Sequence, residues 1–414
     1  MKQIKPFRIY LLIAIIAGLV FVSCKKNDNP GATENQYFIS SELKTTISTQ
    51  QAITNFTSLS PEAAAIAFFI KNEVNVEKLT YKTTFGGKNI FASGLVCLPK
   101  EPGNYPILSF QNGTNTEHSK APTENYNEDF FPIIESVASL GFIVVVPDYI
   151  GFGASKNIPH PYLDAKSSTQ SILDMLRATT EYTSGDKILA KSTKDLYIFG
   201  YSQGGWATML LQKSIEKDYS SEFNLIASSC GAGPYSIEYM NNYIINQTDY
   251  PMPYFLAYLL NSYQTIGSFS NPLTDIIQQP YADLIQGKSG VPGLFDGTNS
   301  GGTINSKLTT KMANFLTAEY RTGYATNAKF VSVRSAFLSN SVIAWKTTTP
   351  TRLYHGQNDE VIPYGVSETI NSDFQAKKAT DVQLIPIPGA DHTSGVYPAG
   401  LQTIIWFLTL RKSI

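Results

Sequence analysis

Leu196-Tyr197-Ile198-Phe199-Gly200-Tyr201-Ser202-Gln203-Gly204, continued by Gly205-Trp206-Ala207-Thr208-Met209-Leu210-Leu211, is the stretch on which the fold turns. The apolar run Leu196–Phe199 reads as a buried strand, and Trp206–Leu211 as the first turns of a buried helix. Between them, Gly200-x-Ser202-x-Gly204 has the spacing of a nucleophile elbow. Such a turn is so tight that its central residue is held in a strained backbone conformation. Glycines on either side leave room for strand and helix to approach each other. The turn presents the Ser202 hydroxyl at a helix N-terminus, where free N–H groups and the helix dipole favour negative charge.

A serine hydroxyl is a poor nucleophile unless a base takes its proton and an acid orients that base. Four histidines are present, His118, His160, His355 and His392, and only the last two follow the elbow. His392 lies in Pro388-Gly389-Ala390-Asp391-His392-Thr393, a loop after the apolar run Val382–Ile387, and is the expected base. His355 precedes Gly356-Gln357-Asn358-Asp359-Glu360-Val361-Ile362-Pro363 at the end of a strand. Asp359 is the expected acid, and His355 is expected to shape the loop through hydrogen bonds. Glu360 and Asp391 are rival acids. Glu360 points elsewhere if Asp359 points inward, and a residue adjacent to His392 rarely reaches Nδ1 of its ring. The resulting chain order is serine, acid, histidine.

A developing oxyanion needs two donors. The Gln203 N–H, directly after the serine, is one. The other is expected from Gln111-Asn112-Gly113-Thr114, the loop after the strand Pro106–Phe110. Thr114 is the expected donor, with Gly113 and Asn112 as alternatives.

These residues carry a resemblance. The chain looks like an α/β-hydrolase of the secretory lipase branch, which includes fungal lipase A-like enzymes and bacterial relatives. The matching stretches include Phe110–Thr114, Val144–Gly153 and His160-Pro161-Tyr162. Others are Ile172–Ala178, Gly204–Ala207, His355-Gly356-x-x-Asp359 and Gly389–His392. The resemblance implies ester hydrolysis without a metal or cofactor, on a small-molecule or lipid ester. A serine peptidase of the same fold and a non-catalytic ligand-binding lipoprotein are the alternative readings.

Around the elbow, strands expected at 106–110, 142–146 and 195–199 alternate with helices near 128–140, at 167–183 and from 203. That alternation gives a mainly parallel central sheet flanked by helices. Val76–Thr83 and Asn89–Leu98 flank Phe85-Gly86-Gly87 as an edge hairpin, and Ser60 caps a helix. Asp148, in the turn after a parallel strand, is expected to have no catalytic part. Cys97 and Cys230 look like small core residues. Residues 235–345, rich in Tyr, Asn, Ser and Phe, interrupt the pattern and read as an inserted, largely helical cap. The chain is 414 residues long, 43% hydrophobic and 16% charged, enough for one large core. Its net charge of −1 and the lack of basic runs argue against a nucleic-acid partner.

The N-terminus has another character. Met1–Arg8 is basic and Ile9–Val22 is an apolar stretch of 14 residues, too short to span a membrane comfortably. It fits an export signal. Phe21-Val22-Ser23-Cys24 resembles the lipobox of bacterial lipoproteins, in which the cysteine is lipidated. The expected organisation is a lipoprotein signal at 1–23, then a polar tether at 24–36. The hydrolase core follows at 37–234 and 346–414, with the cap at 235–345. The expected location is a membrane, reached through lipid on Cys24.

Overall fold

The computed structural model describes residues 35–411, apart from 129 and 289. The expected signal, Cys24 and the tether before Asn35 therefore lie outside the described residues. The strands, in chain order, are β1 (Phe38–Ile47), β2 (Val74–Phe85), β3 (Lys88–Pro99), β4 (Gly103–Gln111), β5 (Ile143–Pro147), β6 (Ala190–Tyr201), β7 (Asn224–Gly231), β8 (Gly287–Lys288), β9 (Val291–Pro292), β10 (Thr351–Gly356) and β11 (Val382–Ile387). Nine of them form one sheet in the order β1-β2-β3-β5-β4-β6-β7-β10-β11, while β8 and β9 make a separate short ribbon. From β1 to β5 neighbours in the sheet are antiparallel, and from β5 to β11 they are parallel.

Side-chain alternation explains the layers. Leu196 and Ile198 of β6 join one apolar cluster, Tyr197 and Phe199 the other. Successive strand residues point to opposite faces, so both faces of β6 are buried. One face is covered by the helices Ala165–Ser184 and Gln203–Ser214, through Met175, Leu176, Trp206 and Met209. The other is covered by Thr49–Thr57, Phe131–Ser136 and Val396–Leu410, through Phe56, Phe131, Ile404 and Phe407. Each such side chain, fully buried, contributes about 1.5–3 kcal/mol. Strand β5, Ile143-Val144-Val145-Val146-Pro147, is buried along its whole length, as a central strand must be. At the sheet's antiparallel side Phe85 pairs with Lys88, leaving Gly86-Gly87 as a two-residue turn with φ of +56° and +77°. Glycine adopts that left-handed region without steric penalty.

The sequence pattern leaves β1 and the helix Thr49–Thr57 unassigned. Ser40–Leu43 of β1 are all exposed, and of the strand only Ile47 is buried, so no alternation appears along it. The helix expected near 128–140 is a short α-helix, Phe131–Ser136, followed by a 3-10 turn, Val137–Leu140. Gly141, at φ +91°, ends it. Cys97 and Cys230 are buried, free thiols.

Between β7 and β10 the chain makes seven α-helices among the described residues, Ile237–Ile245, Pro253–Thr265, Tyr281–Gln286, Gly301–Ser306, Met312–Phe315, Ala318–Gly323 and Val331–Ser339. Leu256, Tyr263, Phe315 and Phe337 of this insertion belong to the same apolar cluster as Trp206 and Met209. Its tyrosines explain how an aromatic segment seats on loops. The rings bury while the hydroxyls donate to loop carbonyls: Tyr250 to Val361 at 3.0 Å and Tyr263 to Leu163 at 2.8 Å.

Candidate active site

Ser202 ends the turn between β6 and the helix Gln203–Ser214, with φ +59° and ψ −125°. For a residue with a side chain this is strained backbone, and its surroundings enforce it. The Ser202 N–H donates to Gly231 O at 2.9 Å, and its carbonyl accepts from Trp206 N at 3.2 Å. The neighbouring glycines are steric requirements. A methyl on Gly204 would lie 1.8 Å from Gln111 O, and one on Gly200 would lie 2.3 Å from Gly204 O. The helix start is therefore pressed against the end of β4 and the loop that follows it.

His392, on the loop between β11 and the helix Val396–Leu410, places Nε2 2.9 Å from Ser202 Oγ. Its Nδ1 donates to Asp359 Oδ2 at 2.6 Å, which leaves Nε2 as the proton acceptor. Tyr201 packs its ring 5.4 Å from the imidazole. Asp359 follows β10 and is buried. Its Oδ1 accepts from the Val361 and Ile362 N–H groups at 2.9 and 2.8 Å. Burial alone raises the pKa of this carboxyl, but hydrogen bonds from His355, His392 and the Ile362 N–H outweigh it and hold the group at about 2. His355 does shape this loop. Its Nε2 is 3.2 Å from Asp359 Oδ2 and 2.8 Å from Ile362 O, and its Nδ1 is 2.7 Å from Ser367 Oγ.

The rival acids lie elsewhere. Glu360 is exposed. Asp391 turns its Oδ1 to Thr393 N, Ser394 N and Ser394 Oγ at 3.0, 2.8 and 2.7 Å, capping the loop that carries His392. Asp148 is buried, which pushes its pKa up, and it accepts from Ser93 Oγ, Thr123 Oγ1 and Thr123 N at 2.6, 2.7 and 2.9 Å. Those bonds tie Ser93 of β3 and the loop at Thr123 to the turn that follows β5.

Gln203 is the first residue of its helix, where backbone N–H groups have no intrahelical acceptor. Gly113 and Thr114 border the cavity that contains Ser202 and His392. The Thr114 hydroxyl lies 2.9 Å from Tyr162 OH. The Gln203 side chain is buried, and its amide nitrogen faces His160 Nε2 at 3.3 Å. His160 Nδ1 donates to Ile150 O at 2.6 Å. This buttress, from a histidine ahead of the elbow, has no signature in the sequence beyond the His160-Pro161-Tyr162 stretch.

The cavity holding Ser202 and His392 measures about 280 Å³. Phe56 and Ile66 from the N-terminal region, Ile133, Ile134, Val396 and Leu401 supply much of its wall. Of the insertion only Tyr254 and Phe255 reach it. The wall residues at 396, 397, 400, 401 and 404 repeat at helical spacing, as residues facing a core also do. Among the described residues no group of three or more His, Cys, Asp and Glu side chains could hold a metal ion.

The profile of the secretory lipase family matches residues 117–411. The chain belongs to the secretory lipase family. It is a carboxylic ester hydrolase, and its family is one of exported proteins. Among solved structures it is similar to a candidate hydrolase from Legionella pneumophila, with TM-score 0.81 and 23% identity over 92% of this chain and 100% of that one. It is also similar to the rice cell wall degrading esterase LipA from Xanthomonas oryzae, with TM-score 0.74 and 22% identity over 92% and 98%. Candida antarctica lipase A in its closed state follows at TM-score 0.63 and 18% identity, over 92% and 84%. At these identities the likeness is one of fold, the α/β-hydrolase fold. No curated protein matches the chain in sequence. Among the described residues no helix is long and apolar enough to cross a membrane.

Proposed function

We propose that this secretory lipase cleaves neutral carboxylic esters through an acyl-enzyme on Ser202. One observation carries the reading: the unbroken relay from Asp359 Oδ2 through His392 to Ser202 Oγ, at 2.6 and 2.9 Å, opens into an apolar cavity. His392 accepts the Ser202 proton as Oγ attacks the ester carbonyl. The N–H of Gln203 and a second donor from the 112–114 loop, Thr114 by preference, hold the oxyanion. The alcohol leaves with the proton from His392, and a water deprotonated by the same imidazole releases the acid. No Asp, Glu, Lys or Arg lines either apolar cavity bordering Ser202, which favours neutral substrates. Residues 235–345 act in this reading as a cap that walls the site.

A fluorophosphonate probe tests the assignment. It should label the protein on Ser202, and folded Ser202→Ala should lose both labelling and turnover of p-nitrophenyl butyrate by several orders of magnitude. Normal turnover by that variant removes the reading. Cleavage of peptide amides with negligible ester turnover would make the protein a peptidase.

The lipobox-like Val22-Ser23-Cys24 supports a second element, acylation of Cys24 and attachment to a membrane. A single acyl chain binds membranes only marginally, so stable anchoring requires several. Metabolic labelling with palmitate should mark the wild type and not Cys24→Ala. Membrane attachment without label in both forms would exclude it.

A further inference from the structure

Two separate apolar cavities border Ser202, and their sizes and walls differ. The larger, about 280 Å³, is also lined by His392, Thr393, Val396 and Tyr397. The smaller, about 50 Å³, lies against Val361 and Ile362 and is closed by Ile237, Met240 and Ile244 of the insertion. His392 is not among its lining residues. Ser202 and Phe255 line both cavities.

The chemistry of acyl transfer assigns the two spaces, given the serine mechanism proposed above. The Ser202 Oγ–carbon bond forms, and the bond from that carbon to the alcohol oxygen breaks. The electron pair goes to the alcohol oxygen, which takes the proton that His392 removed from Ser202. That oxygen must lie within hydrogen-bond reach of His392 Nε2, about 2.6–3.2 Å. The alcohol substituent therefore starts at His392 and continues into the space that His392 walls. The acyl chain starts on the same carbon but needs no contact with the imidazole. The space beside Ser202 that lacks His392 is left for it.

We propose that the larger cavity is the alcohol site and the smaller the acyl site, so that the enzyme prefers esters of large apolar alcohols carrying short acyl chains. Roughly 10–15 Å³ of such space holds one water-sized group. The smaller cavity then admits only a short chain, and the larger has several times its room. Phe255, like Ser202, lines both and so stands where the two spaces come together.

Isomeric esters test this without any variant. Hexyl acetate and ethyl hexanoate have the same atoms and differ only in which side bears the chain, as do octyl acetate and ethyl octanoate. The wild-type enzyme should show kcat/KM at least about tenfold higher for the acetates, since each methylene buried on the alcohol side adds about fourfold. The opposite order, or equal values within each pair, overturns the assignment. Ile134→Trp, which fills the larger cavity, should lower the ratio of octyl to ethyl acetate turnover. Met240→Trp, which fills the smaller, should lower the ratio of ethyl butyrate to ethyl acetate. Exchange of these two effects also overturns it. Ester turnover that persists in folded Ser202→Ala instead defeats the underlying mechanism, so the two failures are told apart.

Discussion

His355 and His392 converge on one oxygen, Oδ2 of Asp359, from 3.2 and 2.6 Å. The other oxygen, Oδ1, is held by two backbone N–H groups. Four donors thus fix a buried carboxylate, and only one of them, His392, moves a proton in the proposed reaction. The other three decide where the carboxylate is when that happens.

Asp359→Asn should keep the fold and lower kcat by about 10⁴, the size of the loss when a triad acid becomes an amide in the serine protease precedent. An amide turned toward Nδ1 through its NH₂ favours the wrong tautomer of His392. Glu360→Gln, at an exposed position, should stay within severalfold of the wild type. Steady-state kinetics on both variants decide it, and a crippled Glu360→Gln beside an active Asp359→Asn would reverse the assignment of the acid.

His355→Gln should lower kcat by about tenfold to a hundredfold with KM little changed, because the imidazole positions Asp359 and lies behind it. It removes a hydrogen bond to a buried charged group, so stability should fall by about 1.5–3 kcal/mol. Chemical denaturation and kinetics on one preparation measure both. A variant with full kcat and the expected loss of stability would reduce His355 to a purely structural residue.

The elbow and the strand before it were legible because two independent periodicities meet at Gly200-x-Ser202-x-Gly204 and leave one placement for the turn. His392 and Asp359 were candidates in the sequence because only two histidines follow the elbow and both residues lie on loops just after apolar runs. The cavity walls were not. Ile133, Ile134 and Val137, or Val396, Gly400 and Leu401, show the helical spacing of any core-facing surface, and spacing does not tell a wall from a core. The insertion read as a cap, and residue type did not tell which of its side chains face Ser202: Tyr254 and Phe255 line the larger cavity, and Ile237, Met240 and Ile244 the smaller. The second oxyanion donor depends on backbone orientation in the 112–114 loop, which residue type leaves open.

Gly204→Ala should fail by sterics alone. Its methyl would meet Gln111 O at 1.8 Å, with backbone on both sides and nothing free to yield. The expected loss is about 3 kcal/mol or more. Gly86→Ala is the control: nothing lies within 4 Å of the added methyl, and only the positive φ is unfavourable. It should lose about 1 kcal/mol. Thermal melts of both variants test the contrast, and equal losses would mean the elbow relaxes more easily than its packing indicates.

His160 makes acid sensitivity a local property. Its Nδ1 donates to Ile150 O at 2.6 Å, so Nε2 is bare and accepts from the Gln203 amide nitrogen at 3.3 Å. Burial, partly offset by the bond to Ile150, lowers its pKa from 6.5 to about 4. A folded pKa below the unfolded one means that stability is fully present above pH 6.5 and is lost as pH falls toward 4. The loss should approach about 3 kcal/mol. Asp359, held at about 2 against an ordinary 3.8, adds its own loss only below that window. Protonated His160 would also point a second N–H at the Gln203 amide and disturb the residue proposed to hold the oxyanion. Denaturant unfolding of wild type and His160→Gln between pH 7 and pH 4 should show a steep decline in the first and a shallower one in the second. Parallel declines would place the acid sensitivity on other groups.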